Sequence, residues 1–103
     1  MNMEKAVTNV EEVRVILREH KDEVVRRYRV SEIGIFGSFV RGEQKRRSDI
    51  DILVEYDEVP DLFEFINLER YLQRLLRKKI DLVRKEAIRP ELKDRILREV
   101  VYI

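Results

Sequence analysis

The chain has 103 residues and nearly balanced charge, with 22 Lys and Arg against 21 Asp and Glu and a formal net charge of +1 at pH 7. A chain of this length has room for one modest core, so we expect a single domain over residues 1–103. Nucleic-acid binders usually carry a one-sided basic excess, which disfavours direct nucleic-acid binding as the function. Cysteine is absent, and no apolar run approaches the roughly 20 residues that span a bilayer, so we expect a cytoplasmic protein without disulfides or membrane segments.

The first elements are predicted to be a long helix followed by a strand. Thr8 and Glu11 have the spacing of a capping box, and apolar residues then recur at helical spacing as far as Tyr28. The short, partly β-branched run Val30–Phe36 predicts a strand. Gly37 interrupts this run and ends the strand.

The middle of the chain predicts a short helix, a polar loop and a second strand. The short helix begins at Ser38 and continues to Arg41, where Gly42 stops it. Residues 43–47 are polar and predict a loop. Residues 49–56 are mainly apolar but carry acids, and they predict the second strand.

The last third predicts a helix, a third strand and a final helix. Asp61 and Glu64 form a second capping-box pattern in front of a broad apolar helical face. Residues 80–83 predict the third strand, and Pro90 is suited to the first position of the last helix. We interpret the apolar residues 100–103 as part of the core, with an interface as the alternative.

This order of elements favours an α/β (α+β) fold in which a small mixed β-sheet is flanked by helices. The helix between the second and third strands is long enough for a crossover connection, which favours parallel pairing of these two strands.

Three aspartates are candidate metal ligands. Asp49 and Asp51 alternate along a strand, so their side chains share one face about 6.5–7 Å apart. Asp81 is an isolated acid in the third strand. Mg²⁺ would offset the repulsion between such carboxylates, and acids on adjoining strands suit a pair of ions about 3.5–4 Å apart. The plainer alternative is that Asp49 caps a turn and Asp51 is an exposed edge residue.

The turn before these acids is a candidate phosphate-binding segment. Gly37 permits close approach of the backbone to a ligand, and the short helix would present N–H groups and the Ser38 hydroxyl to a phosphate. Arg41 would add a forked cation. For the basic segment that follows we favour a solvated loop, and the alternative is a clamp on the triphosphate or on an acidic partner: Lys45, Arg46 and Arg47.

Together these segments resemble the DNA polymerase β-like nucleotidyltransferase superfamily, and most closely its minimal nucleotidyltransferases. The similar segments are G-S-F-V-R-G from Gly37, S-D-I-D-I-L-V from Ser48 and K-I-D-L-V from Lys79. The spacing from the Gly-Ser pair to the D-I-D motif is similar to that of the family, and residues 86–103 resemble its ending.

The resemblance implies a polymerase β-like palm core and assigns roles by position. Asp49, Asp51 and Asp81 would hold two Mg²⁺ ions, and Asp81 would also activate the attacking hydroxyl. Gly37 and Ser38 would bind the triphosphate of ATP. The implied reaction is in-line attack of a hydroxyl on the α-phosphate, with release of pyrophosphate.

The resemblance also implies a partner, because minimal nucleotidyltransferases are often paired with a small helical RNase toxin of the HEPN class. The expected function is that of the antitoxin of a type VII-like pair, which transfers AMP from ATP to a tyrosine of the toxin within a hetero-oligomer. One alternative is a binding-only antitoxin that neutralises its toxin by occlusion. The other is a nucleotidyltransferase that acts on a small molecule or an RNA end. The sequence leaves open the acceptor and the preference for ATP over other nucleotides.

Overall fold

The computed structural model describes residues 6–103, so the first five residues of the predicted domain lie outside the described residues. The elements in chain order are α1 (Val10–Tyr28), β1 (Val30–Phe36), α2 (Ser38–Arg41), β2 (Ile50–Tyr56), α3 (Leu62–Leu76), β3 (Ile80–Arg84), a 3₁₀ turn (Lys85–Ala87), α4 (Pro90–Glu99) and β4 (Val101–Tyr102).

The four strands form one mixed sheet in the order β3-β2-β1-β4. β1 pairs antiparallel with both β2 and β4, whereas β2 and β3 run parallel and are joined by the crossover helix α3. The predicted α/β fold with a small mixed sheet is confirmed, as is the parallel pairing of the second and third predicted strands.

Helix α1 begins one residue later than the Thr8 capping box predicts. Asn9 is the N-cap, and its side chain accepts a 3.0 Å hydrogen bond from the Glu12 backbone N–H. Thr8 instead donates its backbone N–H and its hydroxyl to the Glu12 carboxylate. Asn is a better N-cap than Thr, so the cap shifts to the adjacent residue and Glu12 takes the place predicted for Glu11.

Helices α3 and α4 begin where the sequence predicts. The side chains of Asp61 and Glu64 each accept the other residue's backbone N–H, at 2.8 Å, so both halves of the capping box are present. Pro90 occupies the first turn of α4. At the end of α3, Arg77 adopts the left-handed conformation, with φ 54°, and its N–H bonds to the Gln73 carbonyl.

The sheet separates a large core from a small one. The large core lies between the sheet and the helices α1 and α3, and its fully enclosed side chains include Val13, Ile35, Ile50, Ile52, Val54, Leu68, Leu72 and Leu76. A second cluster joins the sheet to α4 and the segment before it: Phe36, Leu53, Ile88 and Ile96. Because side chains alternate along a strand, Asp51 shares the face of Leu53 and therefore lies on the α4 side of the sheet.

The C-terminal segment contains a strand that the sequence analysis does not predict. Val101 and Tyr102 pair with β1 opposite Ile35 and Gly34. Val100 packs on the α4-side cluster and Ile103 on the large core, in agreement with the core interpretation, whereas Tyr102 remains 42% exposed. β2 also differs from its prediction, since it begins at Ile50 rather than at residue 49. None of the helices in residues 6–103 has the length and apolar content needed to cross a bilayer.

Candidate active site

The three predicted metal ligands lie at one end of β2 and β3. Asp51 is paired with Asp81 across the parallel strands, and on its other side it faces Phe36, the last residue of β1. Asp49 directly precedes β2. The parallel register that follows from the crossover helix therefore brings acids from two separate segments together.

The electrostatics of Asp51 reflect this crowding. The pKa of Asp51 is raised from an ordinary 3.8 to about 6, mainly by burial and also by the negative charges of Asp81 and Asp49. The positive charge of Arg41 acts in the opposite direction but does not outweigh these effects. The cluster thus has an excess of negative charge that a bound cation would relieve.

The chemistry of these side chains suits Mg²⁺, which prefers carboxylate oxygens together with phosphate and water. The raised pKa of Asp51 is the structural sign of that fit, because it reflects a half-buried carboxylate beside two further acids, which the charge of Arg41 does not offset. In residues 6–103, however, no three His, Cys, Asp or Glu side chains converge closely enough to hold a metal in their present orientations. The three aspartates fit Mg²⁺ in their chemistry and location, but in this structure their side chains do not point to a common centre.

The turn after β1 lies directly against this cluster. Gly37 has φ 80° and ψ −154°, a backbone conformation that is open only to glycine. A Cβ at this position would overlap the Oδ2 atom of Asp51. Gly37 thus lets the backbone come close to an aspartate of the cluster, and the predicted approach to a phosphate stays a prediction.

Ser38 and Arg41 stand at the two ends of α2. Arg41 donates from Nε to Glu43 at 2.9 Å and from Nη1 to Glu99 at 2.8 Å. These two carboxylates raise the pKa of Arg41 above its usual range, with the bond to Glu43 as the larger cause. Arg41 thus lies at the end of α2 that follows the turn, and it is held there by two acids of the protein itself.

Glu99 is the site residue that sequence reasoning does not identify. Its Oε2 atom accepts the Gly37 backbone N–H at 2.6 Å, while its Oε1 atom accepts from Arg41. Burial alone would raise the pKa of Glu99, but the bonds from Arg41 and Gly37 outweigh it and lower the pKa. One acid among many in the charged helix α4 gives no local signal, and only the fold brings it to the turn.

The basic segment after α2 forms a turn on the surface. Ser48 closes this turn, since its Oγ accepts the Lys45 N–H at 2.8 Å and its own N–H bonds to the Lys45 carbonyl at 3.0 Å. Lys45, Arg46 and Arg47 are all exposed, which agrees with the solvated-loop interpretation.

An arginine-lined cleft lies elsewhere, between the end of α1 and the outer side of α3. Its volume is about 480 Å³, and its lining includes four arginines: Arg27, Arg29, Arg70 and Arg74. None of the motif residues borders this cleft, so we locate the candidate site by the aspartates and the Gly37 turn.

The sequence matches a known family over most of its length. Residues 17–103 match the model of the nucleotidyltransferase domain family. The protein adenylyltransferase MntA of Thermococcus cleftensis is 49% identical over 98 residues, which cover 95% of this chain and 99% of that protein.

Solved structures share the fold. A candidate minimal nucleotidyltransferase superposes with a TM-score of 0.78 at 30% identity, covering 94% of this chain and 98% of the other. A toxin–antitoxin structure with AMP-PNP gives a TM-score of 0.68 at 26% identity, covering 82% of this chain and 69% of the other. An antitoxin of the minimal class, in complex with the tri-AMPylated HEPN toxin of Shewanella oneidensis, gives 0.63 at 20% identity over 87% of this chain and 70% of that one, which shows the fold alone.

These likenesses confirm the predicted family, with a protein adenylyltransferase among the relatives and a toxin–antitoxin structure among the similar folds. The chain belongs to the nucleotidyltransferase domain family, among minimal nucleotidyltransferases related to the protein adenylyltransferase MntA.

Proposed function

We propose that this protein is a metal-dependent protein adenylyltransferase that acts as the antitoxin of a toxin–antitoxin pair. Residues 1–103 serve as one catalytic domain, which transfers AMP from ATP to a tyrosine of a HEPN-class RNase toxin. One observation carries the proposal: the Gly37 turn lies against Asp51, and Asp51 is in turn paired with Asp81. A phosphate-binding turn beside paired carboxylates suits nucleotidyl transfer, because the reaction depends on positioning and on charge stabilisation.

The residues divide into metal ligands and nucleotide ligands. Asp49, Asp51 and Asp81 would hold two Mg²⁺ ions, which offset the charge that develops on the attacking and leaving oxygens. Ser38 offers a hydroxyl and a backbone N–H to the triphosphate. Arg41 has five N–H donors, of which Glu43 and Glu99 engage two, so it retains donors for a phosphate oxygen. In the observed conformation the Gly37 N–H donates to Glu99 and is therefore not offered to the triphosphate. Gly37 contributes to the site through its lack of a side chain.

The chemical step is an in-line displacement at the α-phosphorus of ATP. The tyrosine oxygen forms the new bond to phosphorus, the bond to the β-phosphate oxygen breaks, and pyrophosphate leaves. Asp81 accepts the proton of the tyrosine hydroxyl, a role that suits an exposed carboxylate beside the more buried Asp51.

The test is the intact mass of the protein encoded next to this one, after co-expression with the wild-type chain or with the Asp49→Ala/Asp51→Ala variant. We expect added mass in whole AMP units with the wild type and none with the double variant. Asp94→Ala, which removes an exposed acid from α4, is the matched control and should transfer AMP like the wild type.

The other outcomes identify the alternatives. A stable complex that neutralises the toxin without added mass would favour inhibition by occlusion. The absence of any complex, together with transfer of AMP to a small molecule or to an RNA end, would overturn the proposed acceptor class.

A further inference from the structure

Glu99 joins the C-terminal helix to the nucleotide turn. It is the last residue of α4 and lies 62 residues from Gly37 in the chain, yet its side chain is only 13% exposed. Its two oxygens are divided between two groups of one motif, with Oε2 on the Gly37 N–H and Oε1 on Arg41 Nη1.

These bonds differ from ordinary surface ion pairs. At 2.6 and 2.8 Å they are short and charge-assisted, and the Glu99 side chain that accepts both is mostly covered, whereas the Arg41 side chain is 39% exposed. The second carboxylate on Arg41, that of Glu43, is 64% exposed and bonds to Nε of the guanidinium. Glu99 is therefore the less exposed of the two anchors, and it also bonds the backbone of the turn.

These bonds fix the orientation of the Gly37 turn and of the Arg41 guanidinium. Gly37 holds a positive-φ conformation as the cap of α2, and a fixed direction of its N–H fixes the plane of the Phe36–Gly37 peptide, which leads into the turn. Arg41 is held through Nε and Nη1, so the plane of its guanidinium is set while its remaining donors stay available. A forked donor binds phosphate best when its plane is set in advance.

We propose that Glu99 is a positioning residue for nucleotide binding, which acts by holding the Gly37 turn and the Arg41 guanidinium in the orientation that the triphosphate requires. This inference rests on the proposed function only in taking the Gly37 turn and Arg41 as the triphosphate site. It does not depend on which acceptor receives the nucleotide.

The experiment measures the binding of AMP-PNP with Mg²⁺ by calorimetry, and it needs no acceptor. Glu99→Gln keeps the shape of the side chain and removes its charge. We expect its dissociation constant to rise about tenfold, as befits the loss of hydrogen bonds to a charged group. Glu91→Gln, at an exposed position in the first turn of the same helix, should bind like the wild type.

Two further measurements separate positioning from general stability. In the Arg41→Gln background, Glu99→Gln should have a smaller effect, because one of the two groups through which it acts is gone. In the transfer reaction, Glu99→Gln should raise KM for ATP while kcat at saturating ATP stays within about threefold. A merely structural role would produce neither the coupling nor this split.

Glu43→Gln keeps the proposal testable if Glu99→Gln does not fold. It removes the exposed anchor of Arg41 without touching α4, and it should weaken AMP-PNP binding about two- to threefold. Unchanged binding in a folded Glu99→Gln variant would overturn the inference, as would effects that are additive with Arg41→Gln. Tighter binding would also overturn it, because it would mean that the carboxylate competes with phosphate.

The two proposals fail in different ways. A wild-type chain that binds AMP-PNP but transfers no AMP would contradict the proposed transfer and leave the role of Glu99 intact. A wild-type chain that binds no nucleotide would overturn both.

Discussion

The smallest feature on which the site depends is the missing side chain at Gly37. The backbone there has a positive φ, and the space that a Cβ would fill is taken by the carboxylate of Asp51. The turn and the acidic cluster are therefore in direct contact, and neither can shift without disturbing the other.

Gly37→Ala should accordingly be more damaging than a similar change at Gly42. Both glycines have positive φ, 80° and 72°, but only a Cβ at Gly37 meets other atoms. We expect Gly37→Ala to cost about 1–3 kcal/mol more of the free energy of unfolding than Gly42→Ala, and to abolish AMP-PNP binding. Urea unfolding and calorimetry would check this, and equal losses in the two variants would contradict it.

Asp51 should make the metal-free protein less stable as the pH rises. Its pKa is about 6 when folded against an ordinary 3.8, so between these values the folded state holds more protons than the unfolded state. The contribution of Asp51 to stability is then full below about pH 4 and is lost as the pH rises through about 6.

Asp51→Asn should remove this dependence and stabilise the protein near neutral pH. The measurement is urea unfolding in EDTA from about pH 4 to about pH 7, with Asp57→Asn as a control at an exposed loop acid. A decline that is equally steep in the wild type and in Asp51→Asn would show that another group causes it.

At this scale the sequence predicts the residues that lie in local motifs and misses the one that does not. Gly37, Asp49 and Asp51 fall within fifteen residues of chain, and their order alone suggests phosphate beside metal. Glu99 has no such context, because its role follows from the packing of α4 on the sheet. For the same reason, the bonds of Gly37 and Arg41 to Glu99 could not be predicted from the sequence.

At the scale of elements, the capping patterns predict helix positions to within one residue. Asp61 and Glu64 form the box that their spacing predicts. At α1 two adjacent residues, Thr8 and Asn9, are both suited to the cap, and spacing alone does not distinguish them because Glu11 and Glu12 each complete a box.

Alanine substitutions would distinguish the two possible caps of α1. Asn9→Ala should lower the free energy of unfolding by about 1 kcal/mol, since it removes the acceptor for the Glu12 N–H. Thr8→Ala should cost less, because the backbone N–H of residue 8 can still bond to Glu12 and only the exposed hydroxyl bond is lost. Urea denaturation would measure both, and a larger loss for Thr8→Ala would restore the predicted cap.

Strand β4 could not be predicted from the sequence because it is short and follows α4 directly. Two residues are too few for alternation to be visible, and the apolar residues 100–103 suit a core segment equally well. β4 is defined by its pairing with β1. At Gly34 of β1, a Cβ would lie 2.7 Å from Val100 Cγ2 and 3.1 Å from the Val101 carbonyl, so the glycine admits the C-terminal segment.

At the scale of the whole molecule, the sequence predicts the fold class and the parallel pair but not the full strand order. The crossover helix α3 required β2 and β3 to be parallel neighbours. The central position of β1, between β2 and β4, depends on contacts between distant segments, for which the sequence carries no local signal.

Binding of Mg²⁺ with AMP-PNP should raise the thermal stability of the whole domain. A ligand at a hundred times its dissociation constant adds about 2.7 kcal/mol to the free energy of unfolding, and in a domain of this size that corresponds to a shift of roughly 10 °C or more. Thermal unfolding should show the shift with the wild type, and EDTA should largely reverse it. Asp49→Asn/Asp51→Asn should show little shift, and a full shift in that variant would argue against these metal ligands.

The contact between Glu99 and Gly37 also bears on the order in which nucleotide binding and helical structure are lost during unfolding. Bringing together two residues that are 62 positions apart in the chain has a high entropic cost of loop closure. The turns within α1 and α3 involve only neighbouring residues and have a lower cost. A brief detachment of α4 and β4 would therefore release the turn while most helical hydrogen bonds persist. In a urea titration, the affinity for a fluorescent ATP analogue should decline before the helical circular-dichroism signal does, so the protein would become unable to hold its nucleotide while still largely folded.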